Sequence, residues 1–202
     1  LQPVLCHDSL LARCCGRPES IHDLNVRDAI AIPANEAIRL GDQFGNERIP
    51  ALVDFVDFLG SCHGVSAFIE IKEESIARFG RQTVYDAVTG VLLPVRDRAI
   101  LISFDTGVVA YARKAGYPKV GLVLRDWAQI DGPEIAAMEP DYIFINAKLI
   151  PPAEDLSRFE PLVVVYEIAE PERAVALFNR GVDMVETFDI GGMIEALASH
   201  SL

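Results

Sequence analysis

Short apolar runs recur along this chain, and most neighbouring runs are separated by enough sequence for a helix. That rhythm limits the folds open to it. The runs are Ala67-Phe68-Ile69, Ala99-Ile100-Leu101-Ile102, Val120-Gly121-Leu122-Val123-Leu124, Tyr142-Ile143-Phe144-Ile145, Leu162-Val163-Val164-Val165-Tyr166 and Asp183-Met184-Val185. They are rich in β-branched residues and too short for helices. Continuous apolar runs suit parallel strands buried on both faces.

Helical patterns lie between them. Over 50–60, Leu52, Val53, Val56 and Leu59 fall on one face at i, i+3, i+4 spacing. A longer amphipathic stretch covers 75–93. Segments 106–116 and 171–181 each end on a glycine, Gly116 and Gly181, and Pro171 sits where a first helical turn accepts proline. A last short helix is expected over 191–199. Gly191-Gly192 after Asp189 reads as a left-handed turn, with a phosphate-binding helix start as the alternative.

Parallel strands joined by helices make either a doubly wound sheet or a closed barrel. A complete (β/α)8 barrel takes about 250 residues. The chain has 202, and its first 48 carry three cysteines, two histidines and little periodicity. On the barrel reading, residues 1–48 are an insertion or capping segment and 49–202 are β/α units, with about two strand–helix units lacking. An open sheet would be complete at this length.

Composition narrows the function. Half the residues are hydrophobic, 24% are charged, and the net charge is −12. That charge argues against a nucleic-acid partner, which needs a basic surface. A small phosphorylated substrate stays open, because a few local cations reverse the field inside a cleft. The four cysteines, Cys6, Cys14, Cys15 and Cys62, form no regular framework and read as reduced thiols of a cytoplasmic protein. No run is long enough for a membrane span. The chain begins with Leu and runs straight into strand-like sequence, so it reads as a fragment, and a signal peptide could precede it.

Two segments could carry chemistry. In Phe68-Ile69-Glu70-Ile71-Lys72, alternation puts Ile69 and Ile71 on one face and Glu70 and Lys72 on the other. Charges pointing into a barrel need a partner or a metal, and barrel active sites gather at the C-terminal strand ends. Glu70 then reads as a metal-binding carboxylate and Lys72 as a phosphate-binding ammonium; a plain ion pair, or a strand end in solvent, is the alternative. In His7-Asp8-Ser9-Leu10-Leu11-Ala12-Arg13, His7 follows an apolar strand and could exchange protons near neutral pH. Asp8 would then face the other way and not pair with it. Taken alone, a surface His-Asp at a turn is the favoured reading. Cys6, His7, Cys14, Cys15 and His22 lie close in sequence but lack zinc-knuckle spacing. His63 and His200 read as solvated.

In order and spacing these pieces resemble the glycerophosphodiester phosphodiesterase family. Pro3 through Arg13 is similar to its strand ending in H-D-x-x-L-x-R, and Ile49-Pro50-Ala51-Leu52 to its I-P-T-L helix entry. Phe68 to Lys72 is similar to its I-E-I-K strand, and Ser103-Phe104-Asp105 to its S-F-D strand end. Val165-Tyr166 through Pro171, then Gly181-Val182-Asp183, resembles its closing segments.

The resemblance implies an incomplete TIM barrel and a hydrolase of glycerol and lipid metabolism, cleaving glycerophosphodiesters to sn-glycerol 3-phosphate and an alcohol. It implies that His7 is one of two catalytic histidines and that Glu70 is one of three carboxylates holding Mg²⁺ or Ca²⁺. Lys72 would meet the phosphate, and Phe104 and Tyr166 would line the substrate pocket. In the family the substrate's own glycerol hydroxyl attacks first and water then opens the cyclic phosphate. The family's His-Arg-Gly and Glu-x-Asp motifs would precede Leu1, so the chain alone is expected to be inactive. Tyr166, Glu167 and Ala169 replace the family's tryptophan, threonine and asparagine. Two other functions stay open: a non-catalytic binding protein on a degenerate barrel, and a phospholipase-like lipid phosphodiesterase.

Overall fold

The computed structural model describes residues 1–198. The chain divides into two compact units, Leu1–Ile100 and Leu101–Leu202.

The first unit opens with three one-turn helices, α1 (Ala12–Cys15), α2 (Val26–Ala29) and α3 (Ala37–Leu40). They are too short to stand by themselves. A small apolar cluster of Leu11, Ile32 and Ile49 holds them, with Val4, Cys6, Cys15, Ile21, Leu24 and Ala34 packed against it. The expected strand before His7 is only an isolated antiparallel bridge between Val4 and Ala51, flanked by Leu5 N–H to Pro50 C=O and Leu52 N–H to Pro3 C=O. The chain bends at His7, so strict alternation of side chains does not reach Asp8.

Helix α4 (Leu52–Ser61) buries Leu52, Val56 and Leu59. Val53, expected on the same face, is 52% exposed: the buried stripe follows 52, 56 and 59, and residue 53 lies at its outer edge. Arg98 satisfies the helix's last carbonyls, donating to Leu59 and Cys62 at 2.9 and 2.8 Å. Strand β1 (Ala67–Glu70) follows. The single helix expected over 75–93 is two, α5 (Glu73–Phe79) and α6 (Arg81–Leu92). They are broken at Gly80, whose φ of +85° no helix accommodates. The buried face belongs to α6, with Val84, Tyr85, Val88 and Leu92, whereas no residue of α5 is fully buried.

Strand β2 (Ala99–Ser103) spans the boundary and leads into the second unit. There β3 (Val120–Val123), β4 (Tyr142–Asn146), β5 (Leu162–Tyr166) and β6 (Met184–Val185) follow. Pairing is parallel throughout, β2 with β3, β3 with β4, β4 with β5 and β5 with β6. Sheet order thus equals chain order across these five strands, with no reversal. A doubly wound sheet requires such a reversal, so the strands are singly wound, as in a barrel. Helices α7 (Thr106–Lys114), α8 (Pro133–Met138) and α9 (Pro171–Phe178) connect them, and α10 (Ile190–Ala198) follows β6. Only α8 was not expected; its six residues are too few to show a period. His200 and the end of the helix expected over 191–199 lie outside the described residues.

One device recurs at the strand entrances. Asp141, just before β4, accepts the Val120 N–H through Oδ2 at 2.8 Å, and its own N–H bonds Val120 C=O. Asp183, just before β6, does the same with Val163 at 2.7 Å. Each aspartate supplies an acceptor for an amide at the start of the preceding strand, the first of β3 and the second of β5. Gly181, at φ +89°, makes the turn that delivers Asp183. Gly191 and Gly192 form the first turn of α10 and not a left-handed turn; Asp189 Oδ1 accepts the Gly192 N–H at 3.0 Å.

Among the described residues no helix is long and apolar enough to cross a membrane.

Candidate active site

The first unit holds a cavity of about 470 Å³. Its lining brings together His7, Asp8, Glu70 and Lys72 with apolar residues such as Val4 and Val84. Three of the five residues singled out from sequence therefore share one cavity.

Period two along β1 is what places Glu70 and Lys72. Ile69 and Ile71 are buried, while Glu70 and Lys72 are half-buried beside the cavity. Lys72 Nζ donates to Glu70 Oε2 at 2.7 Å. The ion-pair alternative is therefore realised, and it stands in the wall of a cavity. Such a pair carries charge without net charge. An incoming anion can draw the ammonium, and an incoming cation the carboxylate.

His7 is the most solvent-facing member, with its side chain 74% exposed. Its Nδ1 lies 2.5 Å from Asp8 Oδ1. This corrects the expectation that Asp8 turns away. The bend at His7 brings both side chains to one side, where an extended strand would have parted them. Asp8 is held in turn by Arg13, whose Nε donates to Oδ2 at 2.6 Å. The Arg13 hydrogen bond, followed by the one from His7, pulls the Asp8 carboxyl down from 3.8 to about 2. Asp8 is thus an anion near neutral pH and can only accept, so His7 Nδ1 carries the proton and Nε2 has the free lone pair. Arg13 Nη2 also lies 3.4 Å from His7 Nδ1. A guanidinium can only donate, which would require the other tautomer; the shorter contact to a carboxylate decides.

Arg13 reaches further, to Glu36, which also binds Arg39. Glu36 sits at φ +43°, and its carboxyl is held below the usual range, first by the Arg39 hydrogen bond. The chain Asp8–Arg13–Glu36–Arg39 ties the residues around His7 to α3. The cysteines nearby are free. Burial raises the Cys6 and Cys14 thiols and pushes Cys15 up to about 11, so all three are thiols near neutral pH.

Sequence reasoning missed one polar pair. His22 Nε2 and Ser75 Oγ lie 3.0 Å apart, both in the lining of the same cavity. They are 53 residues apart in the chain, a separation no local pattern reveals.

Phe104 and Tyr166 belong to the second unit. Phe104 follows β2 in a turn built by its neighbours: Ser103 Oγ accepts the Asp105 N–H at 3.0 Å, and Asp105 caps α7 through the Val108 N–H. The Arg125 guanidinium lies 4.8 Å from the Phe104 ring centre. Tyr166 ends β5 and is half-buried. Glu167, next to it, sits at φ +64° and accepts a hydrogen bond from Asn146 at 3.0 Å.

Among the described residues no group of three His, Cys, Asp or Glu side chains is placed to hold a metal. Glu70 is one carboxylate, already paired with an ammonium, and does not make a cation site by itself.

No protein-family model and no curated protein matches the chain in sequence. Solved structures match it in fold. A phosphodiesterase from Oleispira antarctica, in complex with the product sn-glycerol-3-phosphate, superposes with a TM-score of 0.80 at 19% identity, over 98% of this chain and 80% of that one. A glycerophosphodiester phosphodiesterase from Parabacteroides distasonis gives 0.73 at 14%, over 98% and 79%. One from Thermotoga maritima gives 0.68 at 19%, over 96% and 79%. The chain has the fold of these phosphodiesterases.

Proposed function

We propose that the protein is a phosphodiester hydrolase that cleaves glycerophosphodiesters to sn-glycerol 3-phosphate and an alcohol. The observation that carries this is the gathering of His7, Glu70 and Lys72 around one cavity, in a chain whose fold matches a phosphodiesterase that holds sn-glycerol-3-phosphate. The parallel, singly wound strands support a (β/α) barrel as the frame.

Each side chain has a definite part. Lys72 meets the phosphate, supplying a local positive charge in a chain of net charge −12. His7, with Nδ1 held by Asp8, presents Nε2 to the reaction. As the substrate's glycerol hydroxyl bonds to phosphorus, its proton passing to the second catalytic histidine that the family resemblance implies, the P–O bond to the alcohol breaks and the protonated Nε2 gives its proton to the departing alkoxide. Returned to the neutral form, His7 takes a proton from the water that opens the cyclic phosphate. Asp8 stabilises the imidazolium without being protonated itself. Arg13 holds Asp8.

Mg²⁺ or Ca²⁺ is part of the proposal, with Glu70 as one ligand. Such an ion, when bound, neutralises charge on the phosphodiester. The described residues do not supply the rest of its coordination, and no step is assigned to it. Phe104 and Tyr166 are proposed as substrate-pocket residues on their resemblance to the family's motifs. The four free cysteines support a reducing, cytoplasmic setting.

The test is release of sn-glycerol 3-phosphate from glycerophosphocholine by the whole protein, with and without added Mg²⁺ or Ca²⁺. Metal-dependent turnover supports the proposal. Tight binding of the diester without turnover would overturn it in favour of a binding protein.

A further inference from the structure

The cavity has a second polar station that the proposed mechanism does not use. His22 stands in a short turn, Ile21–Asp23, where Ser20 Oγ accepts its backbone N–H at 3.2 Å. Its ring packs edge-to-face on Phe79 at 5.5 Å between centres. Both contacts fix the imidazole, and its Nε2 meets Ser75 Oγ at 3.0 Å on the first turn of α5. His22, Ser75 and Phe79 line the same cavity as Glu70 and Lys72.

We infer that His22 and Ser75 select the alcohol moiety of the diester, favouring one that carries hydroxyl groups over one that ends in a quaternary ammonium. This rests on reading the cavity as a phosphodiester site. A serine hydroxyl offers one donor and two acceptor positions, and their mutual hydrogen bond uses only part of that capacity. The remainder suits a group that both donates and accepts, as a polyol hydroxyl does. A quaternary ammonium offers neither, and would leave the pair's remaining hydrogen-bonding capacity unmet against methyl groups.

The aromatic alternative is poorly placed for a cation. Phe79 is the ring beside the pair, and the Arg78 guanidinium already lies 5.8 Å from its centre. Arg78 is itself only loosely compensated by Asp23, at 3.7 Å between two exposed side chains. A second cation at this ring would meet like charge.

The experiment compares sn-glycero-3-phosphoinositol with sn-glycero-3-phosphocholine, by calorimetric binding and by kcat/KM, in the whole wild-type protein and in its Ser75→Ala variant. That variant removes one oxygen and leaves the His22–Phe79 packing in place; a thermal melt confirms its fold. His22→Gln is the second variant and keeps a side-chain hydrogen-bonding group. The expected result is a wild-type preference for the inositol diester that falls about tenfold in Ser75→Ala, and that falls less in His22→Gln than in His22→Ala. No wild-type preference, or an equal change for both diesters in Ser75→Ala, would overturn the inference. Preferential binding with no hydrolysis of either diester would sink the proposed activity and leave this selectivity standing. Failure to bind either diester would sink both.

Discussion

His7 Nδ1 lies 2.5 Å from Asp8 Oδ1, two adjacent residues whose side chains an extended strand would have sent to opposite faces. The contact assigns the imidazole tautomer. In the proposed mechanism it makes Asp8 an orienting partner and leaves Nε2 to work on the substrate.

Loss of that partner should be costly. Asp8→Asn is expected to lower turnover on glycerophosphocholine by about 10- to 100-fold, as loss of an orienting carboxylate does. The effect should fall on kcat with KM little changed, because Asp8 acts through His7. A change confined to KM would contradict this role.

Glu70 and His7 should separate by readout. In the whole protein, Glu70→Ala is expected to abolish metal-dependent hydrolysis, and undiminished activity would refute a ligand role. His7→Ala should lower turnover while Mg²⁺ or Ca²⁺ binding, followed by calorimetry, is unchanged.

Asp8 also bears on acid stability. Its carboxyl is depressed from 3.8 to about 2, first by the Arg13 hydrogen bond. A depressed acid stabilises the fold fully above its unfolded value and loses that contribution as pH falls through the folded one. The stabilisation is thus present above about pH 4 and lost between there and about pH 2. Urea unfolding at a series of pH values should show a shallower acid limb in Asp8→Asn. An unchanged limb would mean that Asp8 is not paired in solution.

The turn before β6 is expected to be intolerant of side chains. Gly181 sits at φ +89°, and a Cβ there would run into the backbone of Ser157. The conformation alone costs a non-glycine residue about 1–3 kcal/mol. Gly181→Ala should therefore lower the urea midpoint by more than that conformation alone predicts.

Cys15 should be slow to alkylate. Burial pushes its thiol from 9.0 up to about 11, which leaves about a hundredfold less thiolate at neutral pH. Its iodoacetamide rate should keep rising well above pH 9; a plateau below that would contradict the burial.

Much of the frame was legible because strand and helix periods are local. The run at Leu162–Tyr166 became β5 with the same ends. Glu70 and Lys72 share a side because side chains alternate over so short a span. Gly80 was harder to read: it interrupts a stretch that reads as one amphipathic helix, and only its backbone angle shows the break.

By itself, then, the sequence determined the alternation of strands and helices, the placing of Glu70 and Lys72 on one side and the helix stop at Gly181, all of which depend on residues a few positions apart. Only the tertiary structure decided that the strands are singly wound, since that depends on which runs become neighbours. It also decided that the chain bends at His7 and that His22 meets Ser75. Those contacts are set by packing between segments far apart in the chain, such as the burial of Leu11 against Ile32 and Ile49, and no local period encodes them.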